Sequence, residues 1–328
     1  PAADDGSPTR GVAVGLGPAG VVTTALLVVA PGVLPVTPAR LLETREGSGF
    51  TTIDGRFEGG GPLDSGSFVA VEVIDRGGVP ADAEAVVLNV AATGAAGDGF
   101  VTAYPCDAPE RPLTANLNYT STGAASAGAL TPVAADGTVC LFSSRSSHLV
   151  VDVNGYVPAG GSVDALVPAR LVESRVGSTE RTIDGRFEGV GRIAAGSTFP
   201  FEVAGRAGVP DDAEAVVVNV AAIRPSVDTF LTIHPCDEVR PLAANLNAAG
   251  GTVVNNLVTA KLADDGRLCV FTSASTDLVI DVAAAVPADG GLRAVVPARL
   301  TETRTGPGDD TVDGQDEGCL LYTSDAAD

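Results

Sequence analysis

The chain has 328 residues with 45% hydrophobic side chains, 40 Gly and 22 Pro, the make-up of a globular, turn-rich protein rather than a disordered or membrane-embedded one. Its 41 acidic residues against 20 basic ones leave a net charge of −21 and no basic stripe, which repels phosphate backbones and excludes nucleic acid as a partner. Of the basic residues only Lys261 is a lysine, a bias that fits a GC-rich genome better than any chemistry.

From the start of the chain, nothing between Arg10 and Arg40 is charged, and VVTTALLVVA (21–30) is the most apolar run. Residues 1–30 are expected to be a signal-peptide-like or irregular segment; a stray domain strand or a membrane anchor are the alternatives. No stable membrane span is expected in the mature chain.

The odd string TPARLLETREGSGFTTIDGRFEG at 37–59 then returns as VPARLVESRVGSTERTIDGRFEG at 167–189 and as VPARLTETRTGPGDDTVDGQDEG at 296–318. Pro38, Pro168 and Pro297 stand 130 and 129 residues apart (168 − 38 and 297 − 168), so the chain is built of long repeated modules. AEAVVLNVAA is matched by AEAVVVNVAA, YPCDAPERPLTANLN (104–118) by HPCDEVRPLAANLN (234–247), GTVCLF by GRLCVF, and HLVVDV by DLVIDV. Two complete modules are expected at 31–158 and 159–287, with the truncated start of a third at 288–318. The last ten residues, CLLYTSDAAD (319–328), break the pattern and read as a sequencing-adapter artefact, so Cys319 carries no weight.

Within a module, short Val-rich runs alternate with Gly, Pro, Asp and Ser clusters, and no stretch carries a helical stripe. The first module is predicted to hold strands over 68–74, 84–93, 99–105, 114–120, 127–134, 138–144 and 148–157. AVVLNV and HLVVDV are apolar nearly throughout, as befits central strands covered on both faces. The predicted fold class is all-β, as tandem β-sandwich modules, with β-barrel or jelly-roll modules as the alternative.

Each complete module has two cysteines at matching positions, Cys106 with Cys140 and Cys236 with Cys269. Neither pair is a CxxC and no His lies beside them at zinc-ligand spacing, so one disulfide per module is expected, and with it an oxidising, extracellular location.

The two modules also test each other for chemistry. His148 is matched by Asp277 and His234 by Tyr104, so a His-based catalytic or metal site common to both modules is excluded. No GxSxG, HExxH or P-loop occurs, and no run has the spacing of a calcium loop; no enzyme activity, cofactor or metal is expected. What does repeat is charge: Arg40/Arg170/Arg299, Glu43/Glu173/Glu302, Arg45/Arg175/Arg304 and Asp54/Asp184/Asp313. These could line a ligand cleft. The favoured reading is structural, because Asp152 and Asp281 sit in apolar strands and need cationic partners if buried. Arg40, Glu43, Arg45 and Asp152, with Arg170, Glu173, Arg175 and Asp281, are expected to form a clasp tying each module's PARLxExR segment to its core. Arg56/Arg186 and Arg76/Arg206 are further candidate partners.

PARLLETR, GGVPADAEAVVLNVAATG, GFVTAYPCDAPERPLTANLNY, GTVCLFSS and HLVVDVNGYV together resemble the repeat modules of secreted, cell-surface proteins of high-GC Gram-positive bacteria, over roughly residues 36–318. The resemblance implies non-catalytic β-rich units, standing in tandem or appended to secreted hydrolases. Module two has DVAAAV where module one has DVNGYV, so a role for Asn154–Tyr156 cannot be shared. Two functions follow as expectations: a structural, adhesive or display repeat at the cell surface, or a carbohydrate- or cell-wall-binding module of an exported hydrolase. Either would take a cell-envelope polymer or another surface protein as partner. The absence of Trp and the 4% aromatic content count against sugar platforms.

Overall fold

The structure is a computed structural model that describes residues 30–47, 49–288, 292–304 and 310–315, together with the backbone of the strands Arg10–Leu16 (β1) and Val22–Val28 (β2). The expected adapter-like tail at 319–328 lies outside the described residues. β1 and β2 pair as an antiparallel hairpin within the segment expected to be signal-peptide-like.

Every other regular element is also a strand, and the strands fall into two repeats of the same plan. Module one contains β3 (Leu34–Glu43), β4 (Ser67–Glu72), β5 (Ala85–Thr93), β6 (Gly99–Pro105), β7 (Leu117–Tyr119), β8 (Ala125–Pro132), β9 (Thr138–Ser143) and β10 (His148–Val157). They form two four-stranded antiparallel sheets, in the orders β3-β10-β5-β8 and β4-β9-β6-β7. Module two repeats this with β11 (Asp164–Glu173), β12 (Ser197–Glu202), β13 (Ala213–Ile223), β14 (Thr229–Pro235), β15 (Leu246–Ala248), β16 (Val253–Lys261), β17 (Arg267–Thr272) and β18 (Asp277–Pro287). Its sheets run β11-β18-β13-β16 and β12-β17-β14-β15. The protein is all-β, and its modules are β-sandwiches.

Period-two alternation assigns the faces. In β5, Val86, Leu88, Val90 and Ala92 point inward, where they meet Leu149, Val151 and Val153 of β10 and Val101, Val139 and Leu141 of the opposite sheet. The outward set of the same strand is Ala85, Val87, Asn89 and Ala91, so its near-continuous apolar run serves two different surfaces.

Two differences from the sequence reading have physical causes. The PARLxExR segment is itself a strand, although Pro38 and Pro168 argue against one; β3 and β11 are edge strands, where a missing N–H costs no ladder bond. Its pairing with β10 also shifts register at Val151/Asp152 and Val153/Gly155. The strand predicted over 114–120 is shorter, 117–119, because side chains replace the ladder before it: Asn116 Oδ1 accepts from the Ala103 N–H and Thr102 Oγ1 donates to the Thr114 carbonyl, as Asn245 and Thr232 do in module two.

Cys106 bonds Cys140 and Cys236 bonds Cys269, with Cα atoms 4.9 and 5.0 Å apart, tying the loop after β6 to β9 and the loop after β14 to β17. Among the described residues no helix is long and apolar enough to cross a membrane.

Candidate functional site

The repeated charges are brought together, but mostly not as an open site. In module two Arg170 Nε donates to Asp281 Oδ1 (2.9 Å) and its Nη1 to Glu173 Oε2 (3.0 Å). Arg175 adds a forked pair to both Glu173 oxygens, each at 2.6 Å. Module one repeats the arrangement: Arg40 donates to Asp152 (2.9 Å) and Glu43 (3.0 Å), and Arg45 forks onto Glu43 (2.8 and 2.7 Å). Arg45 and Arg175 thus serve the glutamate and not the strand aspartate. Burial pushes the Glu43 carboxyl up, but the hydrogen bonds and charges of Arg45 and the charge of Arg40 outweigh it and hold it below its usual range.

A second cluster explains the TIDGRFEG half of the repeat. Buried Arg76 forks onto Asp54 (2.7 and 2.8 Å) and donates to the carbonyls of Glu72 (2.6 Å) and Leu41 (3.0 Å). Arg206 does the same with Asp184 (2.7 and 2.7 Å), Glu202 (2.7 Å) and Leu171 (3.0 Å). The Arg76 guanidinium holds Asp54 well below the usual carboxylate range, and Arg206 lowers Asp184 in the same way. They also lie 4.9 and 5.1 Å from the ring centroids of Phe57 and Phe187. Both phenylalanines have φ of 57°, a left-handed backbone rare for an aromatic residue and held here by the surrounding contacts. Arg56 and Arg186 pair at the surface with Glu72 and Glu202.

The third copy shows how local part of this motif is. Arg299 and Arg304 both bond Glu302 (3.0 and 2.6 Å) without a completed sandwich, and Arg304, with help from Arg299, holds Glu302 at about 2. Asp313 is described beside Thr311, with no guanidinium partner among the described residues.

The sequence does not reveal that the two sandwiches share a seam. Module one's edge, β7 and β8, lies on the outer face of module two's β11-β18-β13-β16 sheet. Apolar contact joins Ala85, Leu130, Val157 and Val163 to Ala215, Val217, Ala284 and Val286. Gly128 has no side chain where Leu257 comes to 3.5 Å of the position a Cβ would take. A polar lattice lies alongside. The Ala115 N–H donates to Asp281 Oδ2 (3.3 Å), and Asn219 Nδ2 donates to the Ala115 carbonyl (2.6 Å). Asn118 gives Asn255 Oδ1 both its backbone and side-chain N–H (2.9 and 2.9 Å), while Asn255 Nδ2 reaches the Asn116 carbonyl (2.7 Å) and Asn219 Oδ1 (2.8 Å). The repeated RPLxANLN string is therefore a docking loop, a role that no catalytic or metal motif announces.

Docking changes the chemistry of one clasp and not the other. Arg170 and Asp281 side chains are 7% and 3% exposed, whereas Arg40 and Asp152 are 33% and 26% exposed. Burial pushes the Asp281 carboxyl up against the pull of Arg170 and the Ala115 N–H. Beside the seam opens a cleft of about 510 Å³, with Arg111, Phe100, Tyr119 and Asp98 on one wall and Arg175, Glu180, Arg224 and Thr252 on the other. It offers hydrogen-bonding groups of both signs. Among the described residues no cluster of His, Cys, Asp and Glu could hold a metal ion. His148 Nδ1 lies 3.2 Å from the Thr44 hydroxyl, and His234 is buried with its Nδ1 2.8 Å from the Pro235 carbonyl.

No protein-family model and no curated protein matches the chain. Among solved structures it is similar to the N-terminal CBM22-1-CBM22-2 tandem domain of Paenibacillus barcinonensis Xyn10C, at 11% identity over 77% of this chain and 99% of that one. The TM-score of 0.22 is too low for that likeness to bear on function.

Proposed function

We propose that the protein is a non-catalytic extracellular repeat protein with a structural, adhesive or display role at the cell surface. The observation that carries this reading is where the repeated polar residues go. The clasp arginines and carboxylates common to both modules are spent on ion pairs inside each sandwich, and Asn118, Asn219 and Asn255 on the seam between them, as a stiff tandem spacer requires. The two disulfides support an oxidising, extracellular setting. A cell-envelope polymer or another surface protein is the partner such a spacer would meet.

The cleft beside the seam supports one other reading, a carbohydrate- or cell-wall-binding module, since guanidinium, carboxylate and hydroxyl groups flank Phe100 and Tyr119 there. Retention of the full chain on peptidoglycan, chitin, cellulose and xylan separates the two. The spacer reading expects no saturable binding and a scattering envelope of two modules held at one angle. Saturable retention on one glycan, lost on Arg111→Ala, would replace it with the binding-module reading.

A further inference from the structure

The cleft beside the seam is walled by both modules, and two of the residues lining it break the repeat. Arg224 stands where module one has Gly94, and Glu180 where module one has Phe50, whose ring lies 4.1 Å from the Arg45 guanidinium. The first exchange is costly. Gly94 takes a left-handed backbone freely at φ 60°, whereas Arg224 holds φ 46° with a Cβ in place. Its N–H donates to the Thr252 carbonyl (2.7 Å) and its carbonyl accepts from Arg192 Nη2 (2.8 Å), so the backbone there is fixed. The exposed guanidinium, by contrast, has no partner among the described residues. Backbone strain that no contact of the side chain offsets marks a functional position.

On the opposite wall Arg111 is also free of carboxylates. Its guanidinium is held 4.2 Å over the Phe142 ring, and one hydrogen bond, from Nη1 to the Pro112 carbonyl (3.1 Å), leaves its other donors open. Among the described residues only Arg111, Arg145, Arg224 and Arg240 lack a carboxylate partner, and two of these four line this one cleft. In a chain of net charge −21, that is a local reserve of unspent positive charge. Leu113, Ile223 and Val253 add apolar surface, and Glu180 and Asp98 offer acceptors. Neither aromatic ring presents a sugar platform, since Tyr119 is buried and Phe100 lies under Arg111, 5.9 Å from its guanidinium.

We infer that the seam cleft binds a carboxylate carried on an apolar peptide. Arg111 and Arg224 hold the carboxylate from opposite walls, the apolar side chains take the peptide's own, and Glu180 and Asp98 accept its N–H groups. Those two carboxylates also disfavour a polyanion such as phosphate. The site exists only where two modules meet.

This goes beyond the repeat-protein reading by giving the repeat a ligand. That reading falls to saturable glycan retention, whereas failure of the peptide titrations leaves it standing. The full chain is titrated calorimetrically with N-acetyl-Leu-Leu and with the same dipeptide as its amide. Saturable one-to-one binding is expected, weaker for the amide by at least about tenfold because a charge-assisted hydrogen bond is lost. Arg224→Gly, which restores the module-one residue, should weaken binding by at least about tenfold. Its melting temperature should be no lower than the native chain's, because the left-handed strain is gone. Arg240→Ala, the same stacked arginine with no facing module, should leave the affinity unchanged. The L,L and D,D peptides separate the two sources of such a group, a protein's carboxyl end and a wall peptide, and binding of either supports the inference. Absence of saturable binding, equal affinity for the amide, or an Arg224→Gly that binds as well as the native chain or melts lower would overturn it. So would tighter binding of inorganic phosphate or of a galacturonate trimer.

Discussion

Truncating Arg170 tests whether the clasp carries stability, because the same change can be made in module one at a different burial. Arg170→Ala leaves Asp281, 3% exposed, with only the Ala115 N–H, and Glu173, 1% exposed, with only Arg175. Removing one partner of a buried ion pair costs about 3–5 kcal/mol, since the remaining charge stays desolvated. For a cooperative unit of about 130 residues the entropy of unfolding is near 0.27 kcal/mol per degree, so the expected fall in Tm is roughly 11–18 °C. Arg40→Ala strips the same contacts from Asp152, but that carboxylate is 26% exposed and can recruit water, and Glu43 keeps Arg45. Its cost should be nearer 1–2 kcal/mol. Arg145→Ala, at an exposed position, should stay within about 0.5 kcal/mol. Calorimetry and urea titration of the three variants give the ranking, and Arg170→Met with Asp281→Asn should recover most of the loss. Equal losses for Arg170→Ala and Arg40→Ala, or an Arg170→Ala no worse than Arg145→Ala, would refute the argument from burial.

Gly137 and Gly266 have φ of 83° and 75°, and an added Cβ would lie 2.3 Å from Ile74 Cδ1 in the first case and 2.4 Å from Ala204 Cβ in the second. Ile74 can swing its tip aside while Ala204 cannot, so Gly266→Ala should cost more than Gly137→Ala, each by at least about 1 kcal/mol, as denaturant midpoints would register. Asp54, Asp184 and Glu43 have pKa values depressed by folding, so the stability they supply is complete above their unfolded values near 4 and is lost as pH falls through the folded ones. Melting temperature should therefore drop between about pH 4.5 and 2.5, and less steeply in Asp54→Asn with Asp184→Asn; a flat profile for the native chain would contradict the assignment. Replacing Cys106 and Cys140 by Ala opens a loop with a sequence separation of 34 residues. On the chain-entropy estimate that costs about 4 kcal/mol, readable as a separate low-temperature transition for module one.

Much of this molecule follows from local rules. The long period, the seven Val-rich runs per module and the cysteine positions are read from spacing and alternation alone, because a sandwich strand needs an apolar face every second residue. The Arg–Glu–Arg part of the clasp is equally local. Arg299, Glu302 and Arg304 form it in the third copy with no sandwich of its own among the described residues, since residues two and three apart on an extended chain are within a guanidinium's reach. Which carboxylate completes it is not local: Asp152 arrives from β10, 112 residues after Arg40, and Asp54 meets Arg76 across 22. Least legible of all is the difference between two near-identical sequences. Asp152 and Asp281 occupy the same place in the same strand, yet one is open and the other sealed. Burial is set by what packs on a residue, and only the tertiary structure lays module one's RPLTANLN loop over Asp281 and leaves Asp152 partly open to solvent.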